Sequence, residues 1–370
     1  MNINKKVKLL IPFIIIGIIT VKMIGLKETD SKTTLSLGNV NSTLGELYLS
    51  ETEYKDKINN TVEPYLKSII QEGYIQGEEN INLYYQKYII PNSKGTIVIC
   101  HGFTEYTRKY TELIYYFVNK GYSVYIYDQR GHGNSGTLGV IDKTQLHVDK
   151  FQNYVLDLKT VLDKVVVPSL KQDEKIFLFA HSMGGCVGTL FLEQYPQYFD
   201  AAILSSPMME VNTGNVPSFI AKLIATTADS IGFGDNYVLG KEKFDGTYDF
   251  QNANTSSLSR YEYCYDKLAI EDEYAQRGDS SFHWLKEAFS ADKNVLAKDN
   301  ASKVKIPVLL FQAQNDTMVG NNGQDKFQKN AQNCNLVLVN NTKHDIYRES
   351  DNILIPYLNT VFYFYDKQVS

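Results

Sequence analysis

Residues 175–186, KIFLFAHSMGGC, place a serine between small residues directly after a short apolar run. The apolar run at 176–179 is typical of a buried strand, and a helical pattern opens at Gly185. The intervening pentapeptide AHSMG matches G-x-S-x-G, with alanine in the first glycine position. Small residues are needed there because the serine occupies a strained turn that neighbouring backbone must pass closely. The stretch therefore predicts a strand, a tight turn that exposes Ser182, and a helix.

Strand-like apolar runs alternate with helical patterns on both sides of this stretch. The apolar runs are typical of strands covered on both faces, as in a parallel sheet, and they lie at 96–100, 122–128, 201–206, 306–311 and 336–339. Further strand patterns lie at 73–76 and 80–90, and helical spacing of apolar residues is found at 62–71, 110–119, 148–165 and 352–365. We therefore predict an α/β fold with a mostly parallel sheet flanked by helices, formed by residues 71–207 and 303–370.

The alternation of strands and helices stops after Pro207. Residues 208–302 are rich in Asn, Asp, Gly, Ser and Tyr, with helical fragments at 219–231 and 281–289. We interpret this segment as a helical cap inserted over the site. Its apolar residues either line an acyl pocket or pack the cap onto the body; they are Met208, Met209, Phe219, Ile220, Leu223, Ile224 and Trp284.

The first 26 residues have a different character from the rest of the chain. Lys5, Lys6 and Lys8 precede an uncharged, isoleucine-rich run at 9–21. A basic flank before an apolar run predicts a single N-terminal membrane anchor with the catalytic domain outside the cytoplasm. The alternative is a signal segment that is removed, which would leave a secreted protein. The polar residues 27–70 are predicted to be a tether.

Composition excludes several classes of function. The chain has 370 residues, a net charge of −5 and no basic block, so it lacks the footprint of a nucleic-acid-binding protein. Its four cysteines show no C-x-x-C spacing and no grouping with histidine, and no phosphate-binding loop is present, so no metal and no cofactor is predicted. Cys100 and Cys186 are expected in the core, whereas a pairing of Cys264 with Cys334 is left open.

Two further polar residues follow predicted strands, as Ser182 does. Asp316 lies just past the strand at 306–311, and His344 lies on the loop after the strand at 336–339. Open parallel sheets place their sites at the carboxyl ends of the strands, and the order Ser, Asp, His is that of the α/β-hydrolase fold. We therefore predict Ser182 as nucleophile, His344 as base and Asp316 as the acid that orients the imidazole.

Other residues could take these roles but fit them less well. His132 precedes the serine in the glycine-dense loop at 128–136, and His181 is adjacent to the nucleophile within its turn. Asp345 adjoins His344, where it cannot easily reach the Nδ1 atom of that ring. For the oxyanion hole, the loop after the strand at 96–100 supplies the N–H of Phe103, and the residue after the nucleophile supplies that of Met183.

The chain resembles the serine hydrolases that include monoacylglycerol lipases and bacterial lysophospholipase L2. The resemblance covers roughly residues 73–366, and it rests on HGF at 101–103, DQRGHGNS at 128–135, HVDKFQNYVLDL at 147–158, HSMGG at 181–185 and KHDIYRESD at 343–351. It implies an α/β-hydrolase fold and a cofactor-free ester hydrolase acting on single-chain lipids. It also implies Ser182, Asp316 and His344 as catalytic residues, with Phe103 and Met183 as oxyanion donors.

The predicted function is the hydrolysis of carboxylic esters of a lysophospholipid or a monoacylglycerol through an acyl-enzyme on Ser182. The expected partners are that lipid substrate and a membrane, the latter through the N-terminal segment. A small-ester esterase or a serine aminopeptidase is the alternative on the same scaffold, because a fold alone does not fix a substrate. A binding protein on an inactive hydrolase fold is the non-enzymatic alternative.

Overall fold

The structure is a computed structural model that describes residues 47–369. The predicted anchor or signal segment at 1–26 and the first part of the predicted tether lie outside the described residues. Within 47–369, each helix is either too short or too polar to cross a bilayer. All four cysteines are free thiols, so Cys264 and Cys334 are not paired with each other.

A single eight-stranded sheet organises the described residues, in the order β1-β2-β4-β3-β5-β6-β7-β8. The first two strands are antiparallel to their neighbours, and the remaining pairs are parallel. This arrangement confirms the predicted mostly parallel sheet. The strands are β1 (Ile70–Gln76), β2 (Asn82–Tyr88), β3 (Thr96–Cys100), β4 (Ser123–Tyr127), β5 (Ile176–His181), β6 (Ala201–Ser205), β7 (Val308–Ala313) and β8 (Cys334–Val339).

Helices cover the sheet and form the segment between β6 and β7. In chain order they are α1 (Tyr54–Lys57), α2 (Glu63–Ile69), α3 (Thr111–Asn119), α4 (Gln152–Val161), α5 (Ser182–Gln194), α6 (Ser218–Ala228), α7 (Leu258–Glu262), α8 (Phe282–Val295), α9 (Lys298–Ala301), α10 (Asn321–Asn330) and α11 (Asp351–Val369). Wider helical turns continue four of them at Ile58–Val62, Leu162–Val166, Asp229–Phe233 and Tyr263–Ile270.

The core lies on both faces of the sheet. Along β5, Phe177 and Phe179 join the cluster on one face, whereas Leu178 and Ala180 join the cluster on the other. Side chains of a strand point alternately to the two faces, and both faces are covered here by helices. This explains why the central strands are continuous apolar runs in the sequence and not alternating ones.

The predicted tether differs from the structure in its described part, residues 47–69. Tyr54, Ile58, Val62 and Leu66 are buried in the core cluster on one face of the sheet. Their spacing of four residues places them on one stripe of the helical segment that runs through α1 and α2. A polar composition hid this stripe, because the exposed faces of the same turns carry most of the residues. Here the chain is part of the body.

The other boundaries shift by a few residues, and one shift moves the start of a helix to the predicted nucleophile. Helix α5 begins at Ser182 itself and not at Gly185, so the serine occupies the first helical position. Helix α8 continues to Val295, six residues beyond the predicted fragment at 281–289. Within the segment between β6 and β7, α6 and α8 pack together through Ala225, Phe282 and Phe289.

Candidate active site

The turn between β5 and α5 holds Ser182 in a strained backbone conformation. Its φ is +52°, in the left-handed region that non-glycine residues rarely adopt. A Cβ atom at Gly184 would lie 2.2 Å from the carbonyl oxygen of Cys100, so alanine cannot replace this glycine. Ala180 stands where the motif has glycine, and its side chain faces Gly188. A Cβ atom added at Gly188 would lie 3.2 Å from the Cβ atom of Ala180, so the missing side chain at Gly188 leaves room for that of Ala180. The glycines therefore allow β3 to approach the turn.

His344 and Asp316 form a close pair at the same edge of the sheet. Nδ1 of His344 donates to Oδ2 of Asp316 at 2.7 Å, and both side chains are buried. Oδ1 of Asp316 accepts from the backbone N–H groups of Met318 and Val319, at 2.8 and 3.0 Å. These bonds fix the carboxylate, and the carboxylate fixes the tautomer of the imidazole, which leaves Nε2 as the basic nitrogen.

The surroundings of His344 favour its charged form. Burial lowers the pKa of His344, but the hydrogen bond that His344 donates to Asp316 and the charges of Asp316, Asp345 and Glu105 outweigh burial and raise the pKa above its ordinary value. An imidazole with a raised pKa is a stronger base, and its imidazolium is stabilised once a proton has been accepted.

Backbone contacts tie the loop of His344 to the turn of Ser182. The ring centroid of His344 lies 4.9 Å from that of His181, the residue before the serine. The carbonyl oxygen of His344 accepts from Ser206 Oγ at 2.8 Å, and the carbonyl oxygen of Ser182 accepts from the N–H of Met208 at 2.8 Å. The ends of β5, β6 and β8 are thus joined. Nucleophile, base and acid remain predicted roles for Ser182, His344 and Asp316.

Two backbone N–H groups beside the serine are free to bind an anion. A Cβ atom at Gly102 would lie 3.0 Å from that of Ser182, so the loop that carries Phe103 passes directly against the serine. The N–H group of Phe103 donates no hydrogen bond to any residue in 47–369. Met183 lies in the first turn of α5, where N–H groups lack partners within the helix. This arrangement fits the predicted oxyanion hole, which stays a prediction.

Glu105 is a buried residue that joins the loops around the site, and sequence reasoning assigned it no role. Its Oε2 accepts from the N–H of Gly102 at 2.5 Å and from Tyr110 at 2.5 Å, and it lies 3.1 Å from Nδ1 of His181. Its Oε1 accepts from Lys109 at 2.6 Å and from Tyr347 at 2.9 Å. Burial raises the pKa of Glu105, but Lys109 and His181 outweigh it and hold the pKa well below its usual range. An acidic residue in a loop gives no sequence signal of burial.

The alternative catalytic residues have other partners. Nδ1 of His132 donates to the carbonyl oxygen of Arg130 at 2.9 Å, and burial lowers the pKa of His132 well below its ordinary value. The ring of His181 lies between Glu105 and the carbonyl oxygen of His344. The carboxylate of Asp345 lies 3.3 Å from Lys109 and contacts no nitrogen of the His344 ring closely enough to orient it.

The apolar residues predicted either to line an acyl pocket or to pack the cap onto the body fall into two groups. Met208, Met209 and Trp284 are buried, and Trp284 packs on Phe103 with ring centroids 4.5 Å apart. Phe219 and Leu223 on α6 are 61% and 46% exposed. Trp284 is therefore in contact with the predicted oxyanion loop, whereas α6 presents apolar side chains to the surroundings; Ile220 and Ile224 are half-buried.

Known proteins similar to this chain share both the fold and the family. A probable lysophospholipase L2 from Haemophilus influenzae is 29% identical over 297 residues, covering 80% of this chain and 92% of that protein. Lysophospholipase L2 from Escherichia coli K12 is 33% identical over 257 residues, covering 69% and 74%. A crystal structure of a soluble variant of monoglyceride lipase from Saccharomyces cerevisiae, with a substrate analogue, matches with a TM-score of 0.65 at 19% identity, covering 81% of this chain and 95% of that one.

The family profile Hydrolase_4, described as serine aminopeptidase, S33, matches residues 91–351. The match includes the turn of Ser182, both residues of the Asp316–His344 pair and the whole segment between β6 and β7. These similarities confirm the resemblance predicted from the sequence motifs. The chain therefore belongs to the Hydrolase_4 family of α/β-hydrolases.

Proposed function

We propose that this chain is a serine carboxylic ester hydrolase that acts on single-chain lipids, a lysophospholipid or a monoacylglycerol. The observation that carries the proposal is the buried Asp316–His344 pair, at 2.7 Å, on the same edge of the sheet as the strained turn of Ser182. The names of the relatives, lysophospholipase L2 and monoglyceride lipase, supply the substrate class.

The proposed reaction proceeds through an acyl-enzyme. Oγ of Ser182 attacks the acyl carbon while Nε2 of His344 accepts its proton, and the N–H groups of Phe103 and Met183 bind the oxyanion. The imidazolium then protonates the leaving alcohol, and Asp316 stabilises its charge. A water molecule, deprotonated by His344, attacks the acyl carbon and releases the carboxylate, which restores the hydroxyl of Ser182.

The exposed apolar residues near the cap support a lipid substrate. Phe219, Leu223 and Ile231 are all about half exposed or more, and Val216 just before α6 is 42% exposed. Phe219 and Leu223 lie four residues apart on α6 and therefore share one face of the helix, and exposed apolar side chains that share a face are typical of a site that contacts lipid or another protein. We expect a single-chain lipid from a membrane to contact this surface before it reaches Ser182.

Ester hydrolysis as a function of acyl length tests the proposal. We expect turnover of long-chain lysophospholipid or monoacylglycerol, and labelling of Ser182 by a fluorophosphonate. Ser182→Ala and His344→Ala should each lower turnover by about 10⁴-fold or more. Ser169→Ala is the matched control, since Ser169 follows the helical turn at Leu162–Val166, where its Oγ donates to the carbonyl oxygen of Val165, and it should keep full activity.

The alternatives predict different results in the same assay. Activity restricted to acetyl or butyryl esters would favour a small-ester esterase, and release of N-terminal residues from peptides would favour the serine aminopeptidase that the family description names. Absence of turnover together with absence of fluorophosphonate labelling would favour a binding protein on an inactive fold.

We further propose that residues 1–26 anchor the chain in the cell membrane with the catalytic domain outside the cytoplasm. Support comes from Lys5, Lys6 and Lys8 before the uncharged run at 9–21. Membrane fractionation combined with protease treatment of intact cells tests this. We expect the protein in the membrane fraction and accessible to protease from outside. Recovery from washed cytosol with an intact N-terminus would contradict the proposal.

A further inference from the structure

Arg348 is a buried arginine whose guanidinium makes no hydrogen bond with any residue in 47–369. It is 6% exposed, its Nε has no acceptor, and its nearest acidic atom is Oδ2 of Asp345, 3.7 Å from Nη1. The other buried arginines differ. Arg130 donates to both oxygens of Asp157, and Arg260 donates to Glu112 and Asp351. A buried Nε–H group without an acceptor is costly, which indicates that an acceptor is missing.

Arg348 lines a cavity of about 270 Å³ between the body and the segment 252–275. Thr104, Lys109 and Asp345 line the same cavity from the body. Thr104 directly follows Phe103, and Asp345 directly follows His344, so the cavity is lined by the chain neighbours of a predicted oxyanion donor and of the predicted base. Space beside these two loops, lined by residues other than Trp284, suits the part of a substrate that is not the acyl chain.

Among the charged groups around the cavity, Arg348 is the one with a buried donor that has no acceptor. Lys109 is paired with Glu105 Oε1 at 2.6 Å, and it also lies 3.3 Å from Oδ2 of Asp345. Asp345 is thus shared between a lysine at 3.3 Å and an arginine at 3.7 Å. The two acids and two bases balance in charge, but the hydrogen bonds do not: Glu105 accepts from Lys109, Tyr110, Tyr347 and the N–H of Gly102, and not from Arg348.

We propose that this cavity is a subsite for the phosphate of the substrate head group, bound by Arg348. A phosphate diester offers two oxygens to the planar fork of a guanidinium, whereas the glycerol of a monoacylglycerol offers no negative charge. The inference rests on the proposed function and narrows it, since it assigns lysophospholipids as the preferred substrates. A free phosphate ion has the same chemistry, and the experiment separates the two sources.

The experiment compares lipids that share an acyl chain and differ in the phosphate. The substrates are 1-palmitoyl lysophosphatidylglycerol, 1-palmitoylglycerol and p-nitrophenyl butyrate, with the lipids in the same mixed micelles. Arg348→Gln should lower kcat/KM for the lysophospholipid by about 10- to 100-fold, the contribution of hydrogen bonds to a charged group. It should leave the other two substrates within about threefold, because they do not carry the phosphate that Arg348 would bind. Arg348→Lys keeps the positive charge but not the planar pair of donors, and its kcat/KM for the lysophospholipid should lie between those of the wild type and Arg348→Gln.

Arg108→Gln is the matched control, because Arg108 is bonded to Asp272 at 2.6 Å and lies outside this cavity. It should leave the ratio of the two lipid activities unchanged. An equal loss on all three substrates in Arg348→Gln would overturn the inference and make Arg348 a structural residue. If that variant does not fold, a wild-type preference for 1-palmitoylglycerol over the lysophospholipid would overturn it equally.

Inorganic phosphate provides the second arm. Competitive inhibition of lysophospholipid hydrolysis by phosphate, weakened in Arg348→Gln alongside the loss of lipid preference, supports a head-group site. If Arg348→Gln weakens the inhibition by phosphate but leaves the preference between the two lipids unchanged, the cavity binds a free anion, and the head-group inference is overturned. Failure of the wild type to hydrolyse either lipid, with butyrate still hydrolysed, refutes the proposed function itself.

Discussion

Replacing Glu105 by glutamine should uncouple the loops that surround the site. Glu105 is 2% exposed and accepts from Gly102, Tyr110, Lys109 and Tyr347, while His181 lies 3.1 Å away. Glutamine has the same shape but carries donors on one side, so at least two of these donors would face an NH₂ group. The loop of Phe103, the turn of Ser182 and the loop of His344 would each lose a shared anchor.

The size of the effect follows from these contacts. Breaking a buried ion pair by removing one partner costs about 3–5 kcal/mol. We expect the lower end, about 3 kcal/mol, because Asp345 stays 3.3 Å from Lys109. Turnover should fall about 100-fold, since a displacement of the order of 1 Å in positioned groups costs about that much. Glu105 is a positioning residue in this interpretation and does not touch the substrate.

Glu112→Gln separates positioning from stability. Glu112 is also buried and is paired with Arg260. In Glu112→Gln, Arg260 would keep its second partner, Asp351, at 2.9 Å, as Lys109 keeps Asp345 in Glu105→Gln. Glu112→Gln should therefore lower the free energy of unfolding by about as much as Glu105→Gln does. Both variants are assayed for unfolding in denaturant and for ester turnover at a temperature where both are folded. We expect reduced turnover only in Glu105→Gln. Equal turnover in the two variants would refute the positioning role and reduce Glu105 to a structural acid.

Three further predictions concern the base, the core and the turn. Asp316→Asn should lower kcat/KM by about 10⁴-fold. It should also move the acidic limb of the pH profile of kcat/KM to lower pH, because Asp316 raises the pKa of His344, whose neutral form is the base. An acidic limb at the wild-type pH would contradict the pairing of Asp316 with His344. Burial raises the pKa of the Glu193 carboxyl to about 9. Between about pH 4.5 and about pH 9 the folded state therefore holds a proton that the unfolded state has lost, and the free energy of unfolding should fall as pH rises through this range. Glu193→Gln should therefore raise the free energy of unfolding by about 3 kcal/mol at pH 7, measured with denaturant, and a variant no more stable than wild type would show that Glu193 is ionised. Gly184→Ala should destabilise by about 3 kcal/mol or more, since its Cβ would lie 2.2 Å from the carbonyl oxygen of Cys100; a normal melting temperature would show that β3 can move away.

Local patterns were sufficient for part of this site. Five residues with their flanking strand and helix predict Ser182 as nucleophile, and positions after apolar strands predict Asp316 and His344; the structure places Asp316 and His344 together, and the three roles stay predictions. The helix boundary was misplaced at Gly185, because the pattern of apolar residues begins later than the hydrogen-bonded turn that starts at Ser182. Residues 47–69 were assigned to a tether, because four buried residues in a polar stretch do not dominate its composition.

The sequence by itself determined the order of strands and helices, the strained serine turn and the family, because these depend on neighbours within a few positions. Only the tertiary structure decided which distant groups meet. Glu105 became a shared partner of three segments, and Nε of Arg348 was left without an acceptor beside a cavity. Glu105 lies in a loop and Arg348 in the short 3₁₀ helix Ile346–Arg348, where neither spacing nor composition indicates burial. Their chemistry is set by partners that the fold brings from elsewhere in the chain.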